Sequence, residues 1–338
     1  MPKNLIVGCS STQLTKQESI LFSELQPWGL ILFARNINNP TQIKALIQDC
    51  KTAMGRSNLM VFIDQEGGRV SRLPKSHWRV PPSPTVFAKM YETNKEIAKR
   101  ACMLNALLTG LELKALGINA NCAPMLDIPQ DNASSIITER ALGKSPQQVI
   151  ELGQQISKGL KQAGVAPVIK HMPGHGRAIS DSHLGLPKID ASLDQLNNWD
   201  FVPFKALAEE SMAMTAHIVF EQIDNALPAT ISPILVNKIM REVIGFNGLI
   251  MTDDINMHAL SGTVASRAEQ AIAAGCDIAL HCSGDYDEMQ SLLSVAKTLN
   301  GKALQRTLVA EKIAFSHSAD CNIEDIKDEL ESLLINTL

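Results

Sequence analysis

Apolar residues in this chain are grouped in two alternating ways. Short, nearly continuous runs rich in Val, Ile, Leu and Met alternate with longer stretches in which apolar positions return every three or four residues. The first kind predicts strands buried on both faces, the second amphipathic helices. Eight runs qualify: Asn4–Cys9, Gly29–Phe33, Leu59–Gln65, Ile118–Pro124, Ala166–His171, Ala213–His217, Gly248–Asp254 and Ile278–Ser283. Capping residues mark helix starts between them. Asn39-Pro40 opens a helix with Ile43, Leu46 and Ile47 on its inner face. Ser192 opens another, with Asp194 and Gln195 in its first turn and Phe201, Phe204 and Leu207 further on. Ser232-Pro233 opens a third, with Leu235, Ile239 and Val243 inside.

Strict alternation of strand and helix predicts parallel strands joined by helical crossovers. Eight such units over residues 1–338 predict an α/β fold of the TIM type, a single closed (β/α)8 barrel, with an open doubly wound sheet as the alternative. The tail from about residue 300 reads as two helices with a packing role, their charges Glu324, Asp325, Lys327 and Asp328 forming a solvated face. Two long irregular stretches, Arg72–Thr93 and Gln130–Gly143, are of the length that often carries function.

Composition narrows the function classes. The 338 residues are 45% hydrophobic and 20% charged, enough to build a large core. A net charge of -4 and aromatics at 4% disfavour nucleic acid, which calls for basic stripes and stacking rings. No apolar run approaches a membrane span. Leu5 to Cys9 superficially matches a lipoprotein cleavage site, but too few residues precede it to form a signal, so it is read as the first strand. The seven cysteines are odd in number, scattered, and include no CxxC, which predicts free thiols in a reducing compartment rather than a disulfide or zinc framework.

Candidate chemistry collects at the C-terminal ends of the predicted strands, where barrel enzymes place their reacting groups. Four endings carry it: Asp64-Gln65-Glu66-Gly67-Gly68, Lys170-His171 running on to His175, His217, and Asp253-Asp254. A lysine at the end of an apolar strand is either paired or functional, because a lone buried ammonium is costly. His171, His175 and His183 with Asp181 suggest a metal site, but Pro173-Gly174 breaks the helix that would give the four-residue spacing meaning. Asp181, two residues before His183, could fix that imidazole's tautomer and favour its protonated form, which suits a proton donor. Of Asp253 and Asp254, either could be a nucleophile, a metal ligand or a cap.

These stretches together resemble glycoside hydrolase family 3, in its bacterial branch of β-N-acetylglucosaminidases acting in peptidoglycan recycling. The resemblance is carried, in family order, by GLILFARN (29–36), DQEGGRVSRL (64–73), NANCAPMLDI (119–128), ITERALG (137–143), IKHMPGHGRAISDSHLGLP (169–187), MTAHIVF (214–220) and GLIMTDDINM (248–257). It spans roughly residues 1–300, and KH-x-PGHG followed by DSH is highly specific to this branch. It implies a (β/α)8 barrel with Asp253 as nucleophile, His183 as acid/base and Asp181 as its helper. It also implies sugar binding by Asp64, Arg72, Arg140, Lys170 and His171. The implied reaction is retaining hydrolysis of terminal N-acetylglucosamine from muropeptides of the GlcNAc–1,6-anhydro-MurNAc type, by a cytoplasmic enzyme expected to be a monomer. It implies no cofactor, no metal, no nucleic acid and no membrane partner; the substrate is a small sugar or muropeptide. Departures are small: Met172 stands where an aromatic is usual, Thr252 and Ile255 replace similar residues, and Arg177 follows PGHG at a variable position. Three alternatives stay open. A metal-dependent hydrolase would lose activity to a chelator, and a non-catalytic sugar binder would fail an aryl-glycoside assay. A phosphorylase would change products when phosphate is added, since a neutral imidazole does not repel that anion.

Overall fold

The computed structural model describes residues 1–130, 135–178 and 186–335. Its strands are β1 (Lys3–Gly8), β2 (Pro27–Leu32), β3 (Met60–Ile63), β4 (Ala120–Asn121), β5 (Ala166–Pro167), β6 (Ile169–Met172), β7 (Lys188–Ile189), β8 (Met212–Thr215), β9 (Val219–Phe220), β10 (Leu249–Asp254) and β11 (Ile278–His281). Nine of them form one sheet in the order β5-β4-β3-β2-β1-β11-β10-β8-β6, and every pairing is parallel. The two ends of that order, β5 and β6, are consecutive in the chain. Only Val168 separates them, and its N–H donates to the carbonyls of Asn121 and Ala123 at 3.0 and 3.1 Å. The fifth run of the sequence is therefore one bent strand whose first half pairs β4 and whose second half pairs β8. Pro167 supplies no donor at the point where the strand changes neighbour. The sheet is the eight-stranded barrel the alternation predicts, and the open sheet is ruled out.

Side chains of each strand separate cleanly by parity. Ile6, Ile31, Met60, Phe62, Ala120, Val168, Met212, Met214, Met251, Ile278 and Leu280 fill the barrel interior. Their neighbours Leu5, Val7, Leu30, Leu32, Val61, Ile63, Ile169, Ala213, Ile250 and Ala279 pack outward against the helices. Both faces are dry, which is why the strands read as continuous apolar runs. Helix Gly301–Ala314 closes the N-terminal end of the barrel, with Ala310 and Ala314 joining the interior cluster and Glu311 accepting from the Trp28 indole at 2.7 Å. Helix Ile323–Ile335 lies on helix Lys95–Leu116 through Ile326 and Leu330. Both tail helices pack against the barrel or its helices, and Glu324, Asp325 and Asp328 are exposed.

Two local expectations are corrected. The stretch after Ser192 forms two short helices, Leu193–Asn198 and Val202–Ala206, separated by a turn at residues 199–201; Phe201, Phe204 and Leu207 are buried as expected. The segment Ile234–Val243 is wound as a π-helix, with the Ile244 N–H donating to the Ile239 carbonyl at 2.8 Å. The wider turn carries Val243 to the surface, 40% exposed, and brings Val236, Met240 and Ile244 inward. A small ladder of β7 and β9, not foreseen, lies outside the barrel. The seven cysteines are all free, six of them buried.

Candidate active site

The parity that fills the barrel with apolar layers continues past them. Two residues beyond Phe62 lies Asp64, two beyond Val168 lies Lys170, and two beyond Met251 lies Asp253. All three open into one cavity of about 470 Å³ at the C-terminal mouth. Period two along a strand is thus what brings these charges together, although they lie far apart in sequence.

Lys170 is only 2% exposed, and its ammonium lies 2.9 Å from Asp64 Oδ1 and 2.6 Å from Glu66 Oε1. Arg140 grips Glu66 with two parallel hydrogen bonds, Nε to Oε2 at 2.9 Å and Nη2 to Oε1 at 2.7 Å. Arg72 Nη2 reaches Asp64 Oδ2 at 3.4 Å. Burial pushes the Asp64 carboxyl up, but Lys170 and Arg72 outweigh it and leave it below the usual carboxylate range. Glu66 is likewise raised by burial and lowered further by Arg140 and Lys170, ending far below that range. Burial lowers the Lys170 ammonium, yet Asp64 and Glu66 reverse this and hold it above its ordinary value. The cluster is fully ionised at neutral pH and preorganised. Glu66 has a central place in it that the sequence reading did not give it; its position two residues after Asp64, on the same side of the chain, was the available signal. The turn behind it needs glycine, because Gly67 has φ +107° and a Cβ there would come within 2.2 Å of the Pro82 carbonyl oxygen.

His171 follows Lys170 through a cis peptide and faces the same cavity. Its Nδ1 lies 2.7 Å from Asp127 Oδ2, and Asp127 Oδ1 also accepts the backbone N–H of His175 at 2.6 Å. Burial raises the Asp127 carboxyl, but His171 and the donors of His175 bring it below its ordinary value. As an ionised acceptor it fixes the proton on His171 Nδ1 and turns Nε2 toward Asp253, 4.0 Å from Oδ2. Asp127 was inside a recognised stretch but had no assigned role. Its side chain is fully buried at the end of the segment after β4.

Asp253 and Asp254 divide their work. Asp253 Oδ1 accepts the Asp254 N–H at 2.8 Å. Burial pushes its carboxyl up, whereas His171, His217 and that N–H together hold it below the usual range, so it is an anion at neutral pH. Asp254 Oδ1 instead accepts the backbone N–H groups of Asn256 at 3.0 Å and Cys282 at 3.1 Å, and burial raises its carboxyl. Asp254 therefore ties the loop after β10 to the end of β11, while Asp253 is held by a single backbone N–H beside the cavity. His217 is completely buried beside the cavity rather than in it. Its Nε2 meets the Asp254 carbonyl at 2.9 Å and its Nδ1 meets Thr230 Oγ1 at 2.7 Å, so it steadies the peptide that holds Asp253.

His175 also lies in this network, its ring 5.5 Å from that of His171. Burial and the neighbouring His171 press its pKa down to about 4, from an ordinary 6.5. The unfolded chain binds this proton between pH 6.5 and 4 and the folded chain does not. Stability is therefore present above pH 6.5 and falls as pH drops toward 4, by on the order of 3 kcal/mol. Urea midpoints measured from pH 7 to pH 4.5 are expected to decline, and His175→Asn is expected to flatten that decline. An unchanged slope in the variant would assign it to other groups. Among the described residues, no three His, Cys, Asp or Glu side chains converge to hold a metal ion.

The structure thus gathers Asp64, Arg72, Arg140, Lys170, His171 and Asp253 around one cavity. His183 and Asp181 lie outside the described residues, in the segment between Ala178 and Leu186.

Comparison with known proteins places the chain in a family. The glycosyl hydrolase family 3 N-terminal domain matches residues 7–314. A β-hexosaminidase of Alkalilimnicola ehrlichii is 36% identical over 283 residues, covering 82% of this chain and 80% of the relative. One from Neisseria meningitidis is 34% identical over 288 residues, covering 84% and 79%. Among solved structures, NagZ of Neisseria gonorrhoeae in complex with N-trifluoroacetyl-D-glucosamine superposes with a TM-score of 0.88 at 29% identity, covering 100% of this chain and 98% of that one.

Proposed function

The chain belongs to glycosyl hydrolase family 3, and from that premise we propose that it removes terminal N-acetylglucosamine from muropeptides by a retaining, covalent mechanism. Membership and the β-hexosaminidase relatives make it a glycoside hydrolase of the β-N-acetylhexosaminidase group. Muropeptides as substrate, action in the cytoplasm and a monomeric state are parts of the proposal that rest on the resemblance.

The observation that carries the mechanism is the ionised Asp253 carboxylate, open to the cavity and held by the Asp254 N–H opposite a fully paired cationic cluster. Asp253 attacks the anomeric carbon and forms a glycosyl-enzyme. His183, helped by Asp181, protonates the leaving oxygen and then takes a proton from water in the second step. Asp64 accepts sugar hydroxyls, Arg72, Arg140 and Lys170 donate to hydroxyls and the acetamido carbonyl, and His171, held through Nδ1 by Asp127, meets a sugar hydroxyl through Nε2. Each of the three cations is already oriented by a carboxylate, so little reordering is needed on binding. The usual carboxylate spacing of about 5–5.5 Å for retaining enzymes does not apply where the acid is an imidazole.

Mass spectrometry after treatment with a slow fluorinated N-acetylglucosamine analogue tests the reading. A sugar adduct on the peptide containing Asp253 is expected; an adduct elsewhere, or release of sugar with inverted configuration, overturns it. A second measurement isolates the acid. His183→Ala is expected to lose under about tenfold on an activated aryl glycoside and about a hundredfold or more on a natural glycoside, because only the poor leaving group needs the proton. Equal losses on both would remove His183 from the role.

A further inference from the structure

Four guanidinium groups face the cavity: Arg35, Arg69, Arg72 and Arg140. Three of them have a carboxylate partner, Glu139 for Arg69, Asp64 for Arg72 and Glu66 for Arg140. Arg35 differs. Among the described residues no carboxylate lies within ion-pair distance of it. Backbone carbonyls hold it instead: its Nε donates to Cys9 O at 3.0 Å and its Nη2 donates to Cys282 O. Its guanidinium lies over the Phe33 ring, 5.0 Å from the centroid. The last residue of β1 leaves room for this crossing, since a Cβ on Gly8 would stand 2.9 Å from Arg35 Nη2 and 2.7 Å from the Cys282 carbonyl oxygen. Asp254, the nearest acid by charge influence, already spends Oδ1 on two backbone N–H groups. Among the described residues Arg35 is thus a cation with no carboxylate paired to it, with N–H groups beyond the two used on carbonyls.

The strand order says which part of a substrate it meets. Around the barrel, Asp64 ends β3 and Asp253 ends β10. One arc between them passes through β4, the β5–β6 strand and β8, and carries Lys170 and His171. The other passes through β2, β1 and β11, and carries Phe33, Arg35 and Ser283 at its mouth. In the mechanism proposed above, the attacked sugar is held by residues of the first arc, so Arg35, on the second, is a cation at the mouth that this sugar does not use. We propose that Arg35 is a specificity residue for the leaving group, binding a carboxylate carried on the aglycone. This rests on the hydrolase reading of the same site.

The test compares two substrates, 4-nitrophenyl N-acetyl-β-glucosaminide and its 3-carboxy-4-nitrophenyl analogue. The quantity read is the ratio of kcat/KM for the charged to the neutral substrate. In Arg35→Met that ratio is expected to fall about tenfold or more, the scale of one lost charge-assisted hydrogen bond. Arg35→Lys is expected to restore part of it. In the wild-type protein the ratio is expected to fall with added salt, as screening weakens an interaction at an open mouth. A ratio unchanged within twofold in Arg35→Met overturns the proposal, and does so even if both rates drop together, because that pattern belongs to a merely structural arginine. Hydrolysis of the neutral substrate by the wild-type protein keeps the two readings apart: its absence sinks the hydrolase reading itself.

Discussion

Asp253→Ala is expected to reduce turnover by a factor on the order of 10⁴ or more, with the protein still folded. The expectation follows from what the carboxylate does and does not hold. Among the described residues its one short hydrogen bond is with the N–H of the next residue, and His171 Nε2 lies 4.0 Å away. Burial disfavours this anion, but His171, His217 and the Asp254 N–H more than offset it, so removing it gives up only a modest stabilisation. Neighbouring geometry has other supports: Asp127 holds His171, and Thr230 and the Asp254 carbonyl hold His217. Melting within a few degrees of the wild type, with no turnover even of an activated aryl glycoside, is the expected pair of results. Activity within a hundredfold of the wild type would show that another group bonds to the sugar.

Lys170→Met is expected to fail differently, in both stability and activity. The replacement has nearly the same length and keeps the barrel filled, but it leaves Asp64 and Glu66 facing the same buried space without their shared ammonium. Removing one partner of a buried ion pair costs about 3–5 kcal/mol, far more than a surface pair. Arg140 still pairs Glu66 through two hydrogen bonds, so Asp64 bears most of the loss, with only the longer 3.4 Å contact to Arg72 left. The midpoint in urea should fall accordingly, and kcat/KM should drop about a hundredfold because the sugar-orienting carboxylate shifts. The double variant Lys170→Met with Asp64→Asn provides the check. It should recover stability while activity stays low. Failure of the second change to restore any stability would show that the cost of Lys170→Met lies elsewhere.

The alternation of apolar runs and amphipathic stretches was enough to predict eight parallel strands and the helices between them. It was enough because strands buried on both faces leave no polar positions to interrupt the run. Capping worked where the residue chemistry is local: Asn39 accepts the Gln42 N–H at 3.0 Å and starts the helix Pro40–Ala53, as its sequence predicts. Local chemistry failed where tertiary packing set the winding. Nothing in residues 234–243 specifies a π-helix, and the periodicity of an ordinary helix put Val243 inside when it is outside. Eight units predicted a closed barrel, but how it closes was not legible, because that depends on one strand changing partners at Val168 and no sequence window contains both partners.

The site shows the same division. The residue types at the strand ends, and Asp64, Lys170 and Asp253 among them, were legible because a charge ending an apolar strand stands out. Asp253 and Asp254 could not be told apart in the sequence; the structure gives Asp254 two backbone N–H groups to hold and Asp253 one. Glu66, Asp127 and Arg35 were passed over because their importance lies wholly in what they meet. Glu66 meets Lys170, far along the chain, Asp127 meets His171, and Arg35 crosses β1 to reach Cys282. Sequence alone determined which side chains are apolar, which are charged and on which side of a strand each falls, since those follow from residue type and a repeat of two. Only the tertiary structure decided which charges are cancelled and which are left to act, because a Coulomb interaction depends on distances that the chain sets by closing on itself.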